Sequence, residues 1–254
     1  MGDLFTYDFG YSWPWTYGHL VAALVFALLG VLSVVLGWRV WIRAVLAVGV
    51  LWGLTAWVVF DRIMLVPSEL PTARFLESGS GRVLDGGAGS GRTTVTVLRA
   101  RPAAHVVALD LFKEGYGIDR NSPDRLRANA RLAGGENRVE VKDGDLRALP
   151  FDADTFDAAI SSFAIDHLGK QGAEQSIREM ARVLKPGGQF LLMVLDSDIY
   201  VKFAYPLVNM HMYWGHGGTA DRWRQPLRDA GFEIVEEGKQ PATMFFLVRK
   251  PARM

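Results

Sequence analysis

The chain has 254 residues, enough for one large domain or for a domain with an appendage. Its 28 basic and 27 acidic residues leave a net charge of +1, so no broad electrostatic attraction to nucleic acid is implied. There is no cysteine, which excludes a thiolate nucleophile and a cysteine-based zinc site; half of the residues are hydrophobic, and the excess lies at the front.

Phe5, Tyr7, Phe9, Tyr11, Trp13, Trp15 and Tyr17 fall on every second position. Period two predicts an extended segment with one aromatic face. Such a face suits either the headgroup zone of a bilayer or the surface of a following domain. No Asp, Glu, Lys or Arg occurs between Asp8 and Arg39. Leu20 to Trp38 is nearly unbroken apolar sequence, long enough as a helix to cross a hydrocarbon core of about 30 Å. After Arg39-Val40-Trp41-Ile42-Arg43, a second uncharged run, Ala44 to Phe60, is just long enough. Neither run has the polar face of a soluble bundle helix, and no basic region precedes them as in a secretory signal. Two transmembrane helices joined by a tight turn are predicted, with a shallow hairpin in one leaflet as the alternative. Residues 1–66 thus form an aromatic segment plus a two-helix anchor.

Residues 67–80 form a linker. Val66-Pro67-Ser68-Glu69-Leu70-Pro71 leaves the helix with two prolines, and Thr72 to Ser78 is expected to be a short amphipathic helix. From residue 81 to 254 the pattern is strands alternating with helices, which predicts an α/β domain. Val83 and Leu84 end an apolar strand, the loop Asp85-Gly86-Gly87-Ala88-Gly89-Ser90-Gly91 follows, and Arg92 to Ala100 is helix-forming. Glycines there let the backbone turn sharply and approach a ligand closely. Val106 to Asp110 is a second strand ending in an acid, whose carboxylate suits vicinal ribose hydroxyls. A long loop with Tyr116 between two glycines comes next, then Ser122-Pro123 as cap and first residue of a helix to about Ala133. Strands are expected at Arg138–Val141, Asp157–Phe163 and Gln189–Leu195, a helix from Gln171 to Leu184, another from Thr219, and a closing hairpin of Phe232–Glu236 with Thr243–Val248.

Four segments in order carry a resemblance. Asp85-x-Gly87-x-Gly89-x-Gly91 resembles motif I of the class I S-adenosylmethionine (SAM)-dependent methyltransferases. Asp110 stands at the acid ending their second strand, Gly144-Asp145 through Leu149-Pro150-Phe151 is similar to their G-D-x-x-x-L-P-F segment, and Arg182 through Gly188 resembles their R-x-L-K-P-G-G turn. The resemblance implies a Rossmann-like, doubly wound, mostly parallel seven-stranded sheet with a reversed C-terminal hairpin, here preceded by a transmembrane helical hairpin. It implies SAM as cofactor, held by Asp85, Gly86, Gly87, Gly89, Gly91, Asp110, Leu111, Asp145, Leu146 and Ser162, with Asp145 facing the adenine amino group. Because SAM is cytosolic, the catalytic domain is expected on the cytoplasmic side of the membrane.

His167, with Asp166 beside it, is the candidate base for an acceptor that must lose a proton, a role imidazole suits. Tyr116, Tyr200, Tyr205, His211, Tyr213 and Trp214 are candidate acceptor contacts, because the segment after strand five is rich in aromatics. No tight His/Asp/Glu cluster suggests a metal. The expected function is a membrane-anchored methyltransferase for a lipophilic small molecule: a phenol or quinol, a thiol, or a lipid amine. A non-catalytic SAM-binding scaffold or sensor, or an enzyme acting on a macromolecule, is the alternative. The absence of a basic stripe disfavours nucleic acid as a partner.

Overall fold

The structure, a computed structural model, describes residues 7–64, 68–113, 117–205 and 220–252. Two long helices come first, α1 (Trp13–Val35) and α2 (Val40–Met64). Both are long and apolar enough, by length and composition, to cross a membrane. The first begins seven residues earlier than expected. Ser12 is extended (φ −61°, ψ 151°) and Pro14 stands in the first turn, where its fixed φ is already helical. The aromatic alternation therefore stops being an extended face at Ser12, and Trp13, Trp15 and Tyr17 ride on a helix. At the other end Gly37 takes φ +67°. Its amide donates to Val34 O and that of Trp38 to Ser33 O, so the helix closes in a Schellman turn.

Small residues bring α1 and α2 together. A Cβ on Gly53 would stand 2.7 Å from His19 O and 2.9 Å from the Ala23 Cβ, and one on Gly49 would stand 2.7 Å from the Phe26 ring. Gly49 and Gly53 thus form a small-x-x-x-small contact, the pattern by which apolar helices approach closely. Outward, Leu28, Val35, Val40 and Leu51 are exposed.

The linker is not a free tether. Thr96 Oγ1 donates to Ser68 O at 2.9 Å, and residues 73–78 make turns instead of the expected helix. The Arg101 guanidinium takes their carbonyls, with Nε to Phe75 O at 2.9 Å and Nη2 to Ala73 O at 2.7 Å, while the Phe75 ring is fully buried. Carbonyls satisfied sideways in this way do not need a helical ladder.

The α/β unit then runs β1 (Ser80–Gly86), α3 (Arg92–Ala100), β2 (Ala103–Asp110), α4 (Pro123–Leu132), β3 (Val139–Asp143) and β4 (Phe156–Ser162). It continues with α5 (Gly169–Val183), β5 (Leu184–Leu195), α6 (Ile199–Ala204), α7 (Asp221–Asp229), β6 (Glu233–Gln240) and β7 (Thr243–Arg249). The sheet order is β3-β2-β1-β4-β5-β7-β6. The first five strands are parallel and β7 lies antiparallel between β5 and β6, the reversed hairpin. Side chains alternate between two cores. Val83, Ile160, Leu191 and Phe245 meet Val97, Leu98 and Ala130 on one face; Leu84, Ala159, Leu192 and Phe246 meet Ile177, Met180 and Trp223 on the other. Helices cover both faces, which is why these strands read as unbroken apolar runs.

Several boundaries differ from expectation. β5 starts at Leu184, so Pro186-Gly187-Gly188 is an irregularity within the strand rather than a turn before it: Leu184 pairs with Phe156, the register shifts, and Ala158 pairs with Gln189. Arg138 lies in a single 3-10 turn ahead of β3, and β6 extends to Gln240. Thr219 lies outside the described residues.

The helix contact yields a prediction. Gly53→Val should cost about 1–3 kcal/mol, as overpacking does. Gly30→Val, where an added Cβ meets nothing within 4 Å, should cost far less. Thermal melts of the two variants in the same detergent check this, and equal melting temperatures would refute the close contact.

Candidate active site

Strand order reverses between β1 and β4, and a crevice opens there at the carboxyl ends of the strands. It holds a cavity of about 630 Å³, counted to its open mouth, lined among others by Gly87, Gly89, Asp110, Asp145, Phe163 and His167.

The glycine loop is pinned to the next strand: Gly87 N and Ala88 N both donate to Leu109 O, at 2.8 and 3.1 Å. Gly87 (φ +77°) and Gly89 (φ +52°) need the left-handed region, and a Cβ would come 2.2 Å from the Ala164 Cβ at the first and 2.8 Å from Ile118 Cδ1 at the second. Gly86 and Gly91 serve behind the wall, leaving room for Met180 and Leu126. Asp85 is fully buried beneath the loop. Its Oδ2 accepts from Thr94 Oγ1 at 2.6 Å, and its Oδ1 has no partner. Burial pushes its pKa up to about 7, the Thr94 hydrogen bond opposes this, and the Asp110 charge adds to it.

Asp110 ends β2 on the cavity wall. Oδ2 accepts from Gly89 N at 2.9 Å; Oδ1 accepts from Phe112 N at 2.7 Å and Asn121 Nδ2 at 3.0 Å. Three of about four lone-pair sites are therefore used by the protein itself. The acceptor left over is Asn121 Oδ1, buried, without a partner, on a residue that lines the cavity. Sequence reasoning missed Asn121, although it stands directly before the Ser122 cap, which accepts from Arg125 N.

Leu111 and Leu146 line the same cavity as Asp145. Both Asp145 oxygens receive the Arg147 side chain, Nε at 3.0 Å and Nη2 at 2.6 Å, which holds the carboxyl below its ordinary range. At the exit of β4 Phe163 adopts φ +52°, an uncommon state for a bulky residue, and lines the cavity. Its amide donates to Met193 O at 3.0 Å. His167 lines the cavity from the short turn Ile165–Leu168. Asp166 does not join it: Oδ2 accepts from Leu195 N at 3.3 Å, Oδ1 is buried without a partner, and burial raises its pKa. Ser162 ends β4 outside the lining.

Tyr200 and Tyr205 are not brought to this cavity. Tyr200 lies in the first turn of α6 and Tyr205 caps its end, where the Tyr205 ring lies 4.7 Å from His19 of α1 and 5.2 Å from Trp15. Tyr116, His211, Tyr213 and Trp214 lie outside the described residues.

Comparison with known proteins decides the family. The methyltransferase-domain family matches residues 83–188. A demethylmenaquinone methyltransferase of Clavibacter sepedonicus is 32% identical over 198 residues, which cover 67% of this chain and 74% of that protein. The chain belongs to the SAM-dependent methyltransferases. A ubiquinone/menaquinone biosynthesis C-methyltransferase of Syntrophotalea carbinolica is 34% identical over 117 residues, 46% of this chain and 44% of that one. A solved SAM-dependent methyltransferase from Methanosarcina mazei shares the fold, with TM-score 0.54 at 19% identity over 69% of this chain and 94% of that one. This methyltransferase uses SAM as its cofactor, and the site fits it: a cradle with no room for side chains at Gly87 and Gly89, and an unpartnered amide oxygen for a hydroxyl.

Two predictions follow from the carboxylates. Asp110→Ala removes the acceptor shared by three donors and should weaken SAM binding by about 1.5–3 kcal/mol, the range for charge-assisted hydrogen bonds; calorimetric titration showing unchanged affinity would refute the role. Asp85 has a folded pKa above its unfolded one, so its contribution is complete below about pH 4 and lost as pH rises through about 7. Over that window the ligand-free enzyme should lose up to about 1.4 kcal/mol per pH unit from this group. Asp85→Asn should flatten the profile, measured by denaturant unfolding at pH 5 to 8; parallel curves for both proteins would contradict the assignment.

Proposed function

We propose that this enzyme methylates a lipophilic quinol or related phenolic ring at a membrane in which α1 and α2 are inserted, with the catalytic domain on the cytoplasmic face. The observation that carries the reading is the junction of hairpin and domain. His19 Nε2 lies 2.6 Å from Ala204 O, and Trp52 Nε1 donates to Phe203 O at 2.9 Å, so both apolar helices grip the last carbonyls of α6. Phe60 of α2 stacks edge-on against Tyr11 and Tyr205. Trp15 touches Tyr205 on one side and faces Gly117, the start of the cavity's loop, on the other. An aromatic junction between apolar helices and a methyltransferase cavity suits an acceptor that partitions into lipid. The two relatives named for menaquinone and ubiquinone biosynthesis support the ring chemistry.

SAM, when bound, supplies a methyl group on a sulfonium whose leaving group is a neutral thioether. The chain's part is alignment and exclusion of water. Gly87 and Gly89 admit the cofactor, while Phe163 and Leu146 form an apolar wall. His167 receives the proton that an acceptor hydroxyl gives up as its ring becomes nucleophilic. Tyr200 and Tyr205 stand apart from this cavity, at the junction of α6 with α1, where burial raises both pKa values and keeps the hydroxyls protonated.

The full chain in lipid nanodiscs, given radiolabelled SAM, should methylate a prenylated naphthoquinol in preference to an alkyl thiol or an aminophospholipid. Transfer to the thiol or the phospholipid alone would overturn the quinol reading, and equal rates with a water-soluble quinol would remove the case for delivery from the bilayer.

A further inference from the structure

The loop that closes the cavity does not stand by itself. Residues 117–121 carry Ile118, against Gly89, and Asn121, which holds Asp110. They sit among residues with positive φ, Phe112 at 48° and Arg120 at 49°. A segment with little regular structure must be ordered by contacts made elsewhere. Those contacts come from residues more than a hundred positions earlier in the chain. Ser12 N donates to Gly117 O and Asp119 N to Gly10 O, both at 2.8 Å, framing a bridge between Tyr11 and Ile118. Trp13 N donates to Asp119 Oδ2 at 3.2 Å.

A second anchorage lies one turn away. Asn129 is buried in α4; its Oδ1 accepts from Asp8 N at 3.0 Å, and its Nδ2 donates to Asp8 O at 2.7 Å and to Ser90 O of the glycine loop at 2.8 Å. Arg125 Nε pairs with Asp8 Oδ2 at 3.1 Å, and its guanidinium also donates to Asp119 O. Gly10 makes room for that guanidinium, since a Cβ there would stand 2.0 Å from Arg125 Nη1, and its φ is +65°.

We infer that residues 8–13 are a strap that sets SAM affinity, with Asp8, Gly10, Arg125 and Asn129 as positioning residues that hold Ile118 and Asn121 against the cavity. Ser12 lies in the strap and is the N-cap residue of α1, so the seating of the hairpin and the closure of the cofactor site share one joint. A strap that only added stability would leave the affinity of folded molecules unchanged.

The test uses the full chain in nanodiscs. Gly10→Val forces a β-branched residue into the left-handed region and against Arg125. Ser12→Pro keeps the helix cap geometry, at φ −61°, but deletes the amide that reaches Gly117. Ser12→Ala keeps that amide, and the Ser12 side chain makes no cap hydrogen bond, so it is the conservative control. Both disrupting variants should raise the SAM Kd at least tenfold at unchanged stoichiometry, with kcat at saturating SAM within twofold of wild type, and Ser12→Ala should bind as wild type does. Wild-type Kd in the competent fraction of either disrupting variant would overturn the proposal. Hydrogen exchange on the unmodified enzyme tests it independently of folding. Saturating SAM should slow exchange at the amides of Ser12 and Asp119 together with the cavity loop; protection of the loop with none at Ser12 would also overturn it.

Discussion

Much of this site depends on one carboxylate. Asp110 ends the second strand, and its two oxygens tie three separate pieces of backbone and side chain: the glycine loop through Gly89 N, its own following turn through Phe112 N, and the descending loop through Asn121. A charged acceptor serving several donors is among the stronger polar arrangements available in a protein. It fixes the glycine loop relative to the loop after β2. The neighbouring acid, Asp85, has the opposite character. It has one hydroxyl donor and no second partner, and being fully buried it favours the neutral form. Burial is the main cause of that shift towards the neutral form, the Thr94 hydrogen bond opposing it.

The two helices at the front and the α/β unit obey different packing rules, and the junction reconciles them. Within α1 and α2 contact is made through glycines and the outer surface is left apolar. Within the α/β unit both faces of the sheet are covered by helices. At the seam, His19 and Trp52 present their ring nitrogens to the carbonyls at the end of α6. Each contact gives a backbone carbonyl a partner rather than adding one more apolar surface. Aromatic residues with a polar atom suit this position because one ring lies against apolar neighbours while its nitrogen serves the backbone.

What could be read in advance was local. The glycine spacing, the strand-ending Asp110, the Ser122-Pro123 cap and the two apolar runs each act over a few residues; two adjacent strand patterns marked the closing hairpin, and the family resemblance implied its reversal. The strap could not be read this way. Its bonds join Asp8 to Asn129 and Trp13 to Asp119, more than a hundred residues apart, and neither partner shows a pattern pointing to the other. The aromatic alternation failed as a guide beyond Ser12, because a proline in the first helical turn outweighs period two. Asn121 and Phe163 were invisible for a different reason: one acts through an amide in an irregular loop, the other through an uncommon backbone angle, and side-chain type reveals neither. Asp166 was legible only as the neighbour of His167; that its carboxylate also accepts from Leu195 of β5 is a tertiary contact that adjacency does not reveal.

These long-range contacts change how the chain divides. By composition the boundary falls near residue 66, between apolar helices and an α/β domain. By hydrogen bonding, residues 8–13 belong to the α/β unit, since they complete the loop that borders its cavity, and the helices that follow are tied back to α6. The hairpin is therefore held at both of its approaches to the domain, at the strap and at the α6 carbonyls, with Trp15 in contact with both. An appendage joined by a single linker can tilt without consequence for the site. One held at two points resists tilting, because a tilt lengthens hydrogen bonds at one of them. With the strap proposed above, the orientation of the apolar helices and the shape of the SAM site become one mechanical unit.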